Sequence, residues 1–335
     1  MKLHNLQILR GISALLVCCF HFRADLNFNA HHWGDTLFSK GSIGVPIFFV
    51  ISGYIMVFST RKITNDNLLH NVANFAKKRI IRIVPLYYLL TFAWIVLGGS
   101  VLYYLERNPS IRLLNSLLFL PQKDQFPVLF LGWSLNYEIF FYLIFAISFL
   151  FRKYRYAAVI VFFGVAMLMG WYFAPENAFL KMVTDFLNIY FIAGVLLGLF
   201  LHKIRAGKNF LIAFSYFSIL LFIFYFLNII SISSKILAVI PVVLLVTAFL
   251  VFDLFLKMKA NSFLKMLGNI SYSIYLSHPF VEILFRRFPV DSAGLLILFF
   301  IIKLAVVILV SRILYELIEK RLTLYLKLKL SKPTT

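Results

Sequence analysis

Charge is what this chain has least of: 14% of its 335 residues are charged, and only 13 are acidic. A soluble domain carries nearer a quarter. Cysteine is almost missing as well. Cys18 and Cys19 are adjacent within an apolar run, where they neither pair in ordinary geometry nor frame a metal site. No spacing of His, Cys, Asp and Glu suggests a metal, and there is no glycine-rich phosphate loop. No Gly/Ser/Pro linker, internal repeat or low-complexity tract divides the chain, so one domain over residues 1–335 is expected, with no permanently bound cofactor. These absences exclude a soluble enzyme, a disulfide-stapled secreted module and a disordered chain.

Apolar side chains fill the gap: 62% of residues are hydrophobic and 39 are phenylalanine. A core of ordinary size cannot bury so many, so lipid is the solvent for most of the surface. Ten runs are candidates for spanning helices: 6–25, 43–60, 84–105, 134–151, 156–173, 186–201, 210–229, 236–255, 269–285 and 292–312. They are continuous rather than alternating, which excludes a strand barrel. The first is no cleavable signal, because it holds Arg10 and lacks a small-residue cleavage site. The fold expected is an all-α, polytopic membrane helix bundle of about ten transmembrane helices.

The formal net charge of +20 could suggest nucleic acid. Its distribution argues otherwise, since lysine and arginine accumulate in loops that stay in the cytoplasm. With the N-terminus inside, the loops at 61–83, 152–155, 202–209 and 256–268 and the basic tail at 321–335 hold most of the 33 basic residues. Both termini are therefore expected in the cytoplasm, and no nucleic-acid partner is expected. On the other side, the loops at 26–42 and 106–133 are longest. The second, with Pro109, Pro121 and Pro127, reads as a folded cap.

Ionisable residues inside a membrane are costly, so each is a functional candidate. Arg10 and His21 are eleven residues apart, about three turns and about 16 Å along one helix face. The alternative is a snorkelling arginine and an interfacial histidine. Arg79 and Arg82, at i and i+3 ahead of the third span, suit a phosphate or pyrophosphate, or else a topological anchor on anionic lipid. Glu138, near the outer end of the fourth span, could orient the His21 imidazole for acyl transfer, or serve its own helix dipole. Ser52-Gly53 reads as a packing notch. His278 reads as structural, with Ser277 or His278 expected to satisfy the carbonyl that Pro279 frees. Lys303, deep in the tenth span, fits no pattern.

Five segments in order resemble the acyltransferase-3 family of integral membrane acyltransferases. They are Arg10 with His21; Phe48-Phe49-Val50-Ile51-Ser52-Gly53-Tyr54; Arg79-Ile80-Ile81-Arg82-Ile83-Val84-Pro85-Leu86-Tyr87; Trp133-Ser134-Leu135 with Glu138; and Ile270-Ser271-Tyr272-Ser273-Ile274-Tyr275-Leu276-Ser277-His278. The resemblance implies a cytoplasmic acyl-CoA donor, usually acetyl-CoA, and an acceptor hydroxyl on an outward-facing surface glycan, in a bacterial inner membrane. It implies His21 and Glu138 as catalytic residues and Arg10, Arg79 and Arg82 as acyl-CoA ligands. Ser52, Trp133, Ser134, Tyr137, Tyr275 and His278 would line the site. Many relatives add a span and a hydrolase-like C-terminal domain, so this chain is expected to be the stand-alone type.

On this reading the donor head rests on Arg79 and Arg82, and the slim pantetheine arm threads along Arg10 toward His21. The arginine pair and the His21/Glu138 pair would then be separated by much of the bilayer. The competing class is a transporter or flippase, since Arg, His and Glu also line substrate pathways. Against it, the sequence shows no two-fold repeat and no paired broken helices. The acceptor, the acyl chain length and the oligomeric state are not legible.

Overall fold

The computed structural model describes residues 2–28, 31–63, 67–98, 101–105, 107–288 and 292–331. Each apolar run identified above carries a helix. In chain order the helices are α1 (His4–Phe22), α2 (Gly44–Thr60), α3 (Leu68–Leu97), α4 (Gly132–Ser148) and α5 (Arg155–Phe173). They continue as α6 (Ile189–Phe200), α7 (Lys208–Phe226), α8 (Val239–Leu254), α9 (Ser271–Phe285) and α10 (Ala293–Leu314). Among the described residues the only strands are Asn27–Phe28 and His31–His32, a two-residue antiparallel pair. Among the described residues seven helical stretches are long and apolar enough to cross a membrane. One of them, Gly132–Phe173, is 42 residues long and breaks at Arg152, whose φ of 48° separates α4 from α5.

The largest departure from expectation is α3. It begins at Leu68, well before the anticipated 84, and stops at Gly98 rather than 105. Lysine and arginine are good helix formers, so Lys77, Lys78, Arg79 and Arg82 extend the helix instead of ending it. Asn67 caps it by accepting from the His70 amide, while Pro85 is carried inside. Arg79 and Arg82 thus lie within the helix, not in a loop before it. Of the basic tail, 320–331 is helical and residues 332–335 lie outside the described residues.

The chain forms two compact units, Met1–Tyr54 with Leu196–Ile313, and Ile55–Val195 with Leu314–Thr335. In the first, α1 is the central helix and packs on α8, α9 and the short helix Ser262–Asn269. Its close approach to that short helix depends on glycine: a Cβ at Gly11 would lie 2.7 Å from the Gly268 nitrogen. The start of α1 has no cap of its own, since Leu3 occupies the cap position. Asp253, at the end of α8, supplies one from elsewhere in the fold. Its carboxylate accepts from the amides of Asn5 and Leu6, both at 2.9 Å. A buried anion on a helix N-terminus satisfies orphan N–H groups and the helix dipole together.

The second unit is built on aromatic packing. Phe141 stacks on Phe191 at 4.3 Å, and Phe75 stacks on Phe145 at 5.3 Å. Arg155 is buried, yet it donates to the carbonyls of Thr60 (2.9 Å) and Ile63 (3.3 Å) at the end of α2, where a cation complements the dipole. The expected cap is folded. Its helix Arg107–Leu117 is tied down as Arg112 donates to the carbonyls of Phe126 and Pro127, and the Val128 amide donates to Ser116.

Candidate functional site

In the first unit, α1 runs unbroken through Arg10 and His21, so the expected stripe stands on one helix. Half-buried Arg10 donates to Gln7 Oε1 at 3.2 Å, and Gln7 Nε2 donates to the Gly268 carbonyl at 2.7 Å. Arg10 is thereby anchored where α1 meets the Ser262–Asn269 helix.

His21, also half-buried, meets His278 of α9 with ring centroids 5.0 Å apart. His278 is fully buried. Its Nδ1 lies 3.4 Å from the Ile274 carbonyl, and its Nε2 has no hydrogen-bond partner among the described residues. Tyr275 approaches His278 at 6.2 Å, and Phe48 of α2 meets Tyr275 at 6.3 Å. Ser52 stands one turn beyond Phe48 on α2. The structure therefore brings His21, His278 and Tyr275 together, with the Phe48–Ser52 face beside them. His278, expected from the sequence both as a structural residue and as one lining the site, faces His21. Ser277 does not turn back to its own backbone: its hydroxyl meets that of Ser311 on α10 at 3.0 Å.

Lys303 has an account here that its sequence context lacked. Its ammonium donates to Asp25 Oδ2 at 2.6 Å and to Glu282 Oε2 at 2.9 Å. Neither carboxylate stood out in the sequence. The available signal was spacing, because Asp25 follows His21 by four residues and Glu282 follows His278 by four.

In the second unit, α4 presents Ser134, Glu138 and Tyr142 at successive turns along one side. The Tyr142 hydroxyl donates to the Glu138 carboxylate. The Arg79 guanidinium lies over the ring of Tyr142 at 5.5 Å and over that of Phe75 at 5.4 Å. Its Nη2 is 3.5 Å from Ser59 Oγ, and its Nε is buried without a partner among the described residues. Arg82 and Glu138 both lie within electrostatic range of Arg79. One tyrosine therefore separates Arg79 from Glu138, and the expectation that much of the bilayer would lie between the arginine pair and Glu138 is corrected. The cause is α3: because it is helical through Arg79, that side chain projects onto α4. Trp133 and Tyr137 meet edge to face at 6.1 Å, one turn apart on the neighbouring side of α4, and Ser134 donates to the Leu131 carbonyl at 3.2 Å.

Within the first unit the facing imidazoles of His21 and His278 can move a proton; within the second, Arg79 beside Tyr142 and Glu138 can bind an anion. Among the described residues no group of His, Cys, Asp and Glu could hold a metal.

A family model described as an acyltransferase domain, acyltransferase-3, matches residues 3–316. The exopolysaccharide production protein ExoZ of Rhizobium meliloti is 34% identical over 254 residues, covering 72% of this chain and 77% of that protein. The putative peptidoglycan O-acetyltransferase YrhL of Bacillus subtilis is 33% identical over 110 residues, 32% of this chain and 16% of its own. The acyltransferase MdmB of Streptomyces mycarofaciens is 29% identical over 164 residues, 43% of this chain and 38% of its own. No solved structure matches the chain.

Proposed function

Because the chain belongs to the acyltransferase-3 family, we propose that it is a membrane O-acyltransferase moving an acetyl group from cytoplasmic acyl-CoA to a hydroxyl of an outward-facing surface glycan. The observation that carries this reading is the family match over residues 3–316, which takes in Arg10, His21, Arg79, Arg82, Glu138 and His278. The names of two relatives, an exopolysaccharide production protein and a putative peptidoglycan O-acetyltransferase, support a glycan as acceptor.

In the proposed reaction His21 is the general base. It takes the proton of the sugar hydroxyl as that oxygen attacks the thioester carbonyl. The new C–O bond forms, the C–S bond breaks, and the departing CoA thiolate takes the proton back from the imidazolium. No acyl-enzyme is needed. Arg79 and Arg82 hold phosphates of the CoA head through charge-assisted hydrogen bonds, which the partnerless Arg79 Nε supports. Glu138 steadies Arg79 through Tyr142, and Arg10 lies along the pantetheine arm. Ten helices cross a bacterial inner membrane, both termini are cytoplasmic, and residues 1–335 form a single acyltransferase domain.

Purified protein in sealed vesicles of known orientation, given radiolabelled acetyl-CoA and surface glycan, tests this reading. Label should enter glycan only when acetyl-CoA is on the cytoplasmic face and glycan on the other. Movement of glycan or CoA without ester formation would replace it with transport.

A further inference from the structure

Lys303 sits about 15 Å into α10 from its first residue, on a helix that is otherwise apolar through this stretch. It is 3% exposed, and the two carboxylates it bridges are each 15% exposed. Glu282 also accepts from Arg286 Nε at 3.1 Å, so two anions meet two cations and the cluster is neutral. The Lys303 ammonium lies 5.5 Å from the centroid of Phe22 and 6.0 Å from that of Phe285. Such a network is poorly explained by stability alone, because well-packed apolar residues commonly do as well as a buried ion cluster. What ions add is geometry.

That geometry bears on the two imidazoles. Asp25 follows His21 by four residues, in the 3-10 turn Arg23–Leu26 that continues α1, and Glu282 lies one turn beyond His278 on α9. Lys303 holds both carboxylates from α10, which fixes the ends of α1 and α9 to each other. Phe22, under the ammonium, also packs edge-on against His278 at 6.1 Å. A shift of either helix end would move one ring of the 5.0 Å pair relative to the other.

We propose that Lys303 is a positioning residue for acyl transfer: by bridging Asp25 and Glu282 it sets the register in which His21 faces His278. This rests on the reading of His21 as the transfer base. Lys303 is buried with its ammonium held by Asp25 and Glu282, so its loss should be felt in turnover and not in donor binding.

Lys303→Met alone leaves two carboxylates uncompensated and can fail through misfolding. The decisive variant is the neutral triple Lys303→Met/Asp25→Asn/Glu282→Gln, which removes the clamp and the stranded charges together. It should assemble in the membrane, keep the KM for acetyl-CoA within twofold of wild type, and lose at least 30-fold in kcat. A second readout needs no activity: in protein labelled at its histidines with carbon-13 and nitrogen-15, a through-space resonance between the His21 and His278 rings should be present in wild type and absent in the triple variant. Wild-type kcat in the folded triple variant, or an undiminished cross-peak, would overturn the positioning role. If wild type transfers no acetyl, the function proposed above fails while the cross-peak comparison still decides whether Lys303 sets the register.

Discussion

The clearest stability test is Asp253→Asn. Asp253 is 8% exposed, and its carboxylate accepts from two backbone amides of α1 and from Asn5 Nδ2 at 3.0 Å. Asparagine keeps one acceptor oxygen and turns an amide NH2 toward the other backbone donor. One charge-assisted hydrogen bond, worth about 1.5–3 kcal/mol, is lost. The charge–dipole contribution, about 0.3–2 kcal/mol, goes with it. The expected cost is about 3 kcal/mol, roughly two orders of magnitude in the folding equilibrium. Asp253→Ala removes all three acceptor contacts and should cost more, whereas Asn5→Ala leaves both backbone bonds and should cost about 1 kcal/mol. Reversible unfolding in mixed micelles, followed by tryptophan fluorescence, reads the order Asp253→Ala, Asp253→Asn, Asn5→Ala from worst to mildest. If Asp253→Asn stays within about 0.5 kcal/mol of wild type, the level of an inconsequential surface change, α1 does not depend on this cap.

Gly11→Ala should destabilise by about 1–3 kcal/mol through the clash with the Gly268 backbone. Gly294→Ala, where a Cβ meets nothing within 4 Å, should be neutral, and equal effects in the same titration would refute the close-packing argument. Arg79→Ala should raise the KM for acetyl-CoA by about tenfold, the loss of roughly 1.4 kcal/mol from one charge-assisted contact; an unchanged KM returns Arg79 to the role of a topological anchor. The orienting of His21 by Glu138 that the sequence suggests is read by a double-mutant cycle on kcat/KM with His21→Gln and Glu138→Gln. Coupling above about 1 kcal/mol supports it, while additive effects would confine Glu138 to Tyr142 and Arg79.

The helices themselves were legible because each apolar run is a local property of sequence. Arg10 and His21 on one helix followed from spacing alone. The start of α3 differs from expectation because a basic cluster reads as a loop, although nothing between Leu68 and Arg82 breaks a helix. Lys303 was unreadable for a different reason: its partners lie 278 and 21 residues away, and only the packing of α1, α9 and α10 unites them. The same packing brings His278 to His21. Tyr142 and Glu138, four residues apart on one helix, make a pair whose signal is spacing alone.

The measurement that tests the central claim most directly is kcat/KM for acetyl transfer from acetyl-CoA by His21→Ala, at a membrane level matched to wild type. Removing a general base should cost about 10²–10⁴-fold. That loss, with the donor still bound, is the predicted result. Activity above about a tenth of wild type, a barrier change under about 1.4 kcal/mol, would contradict the assignment of His21 as the base.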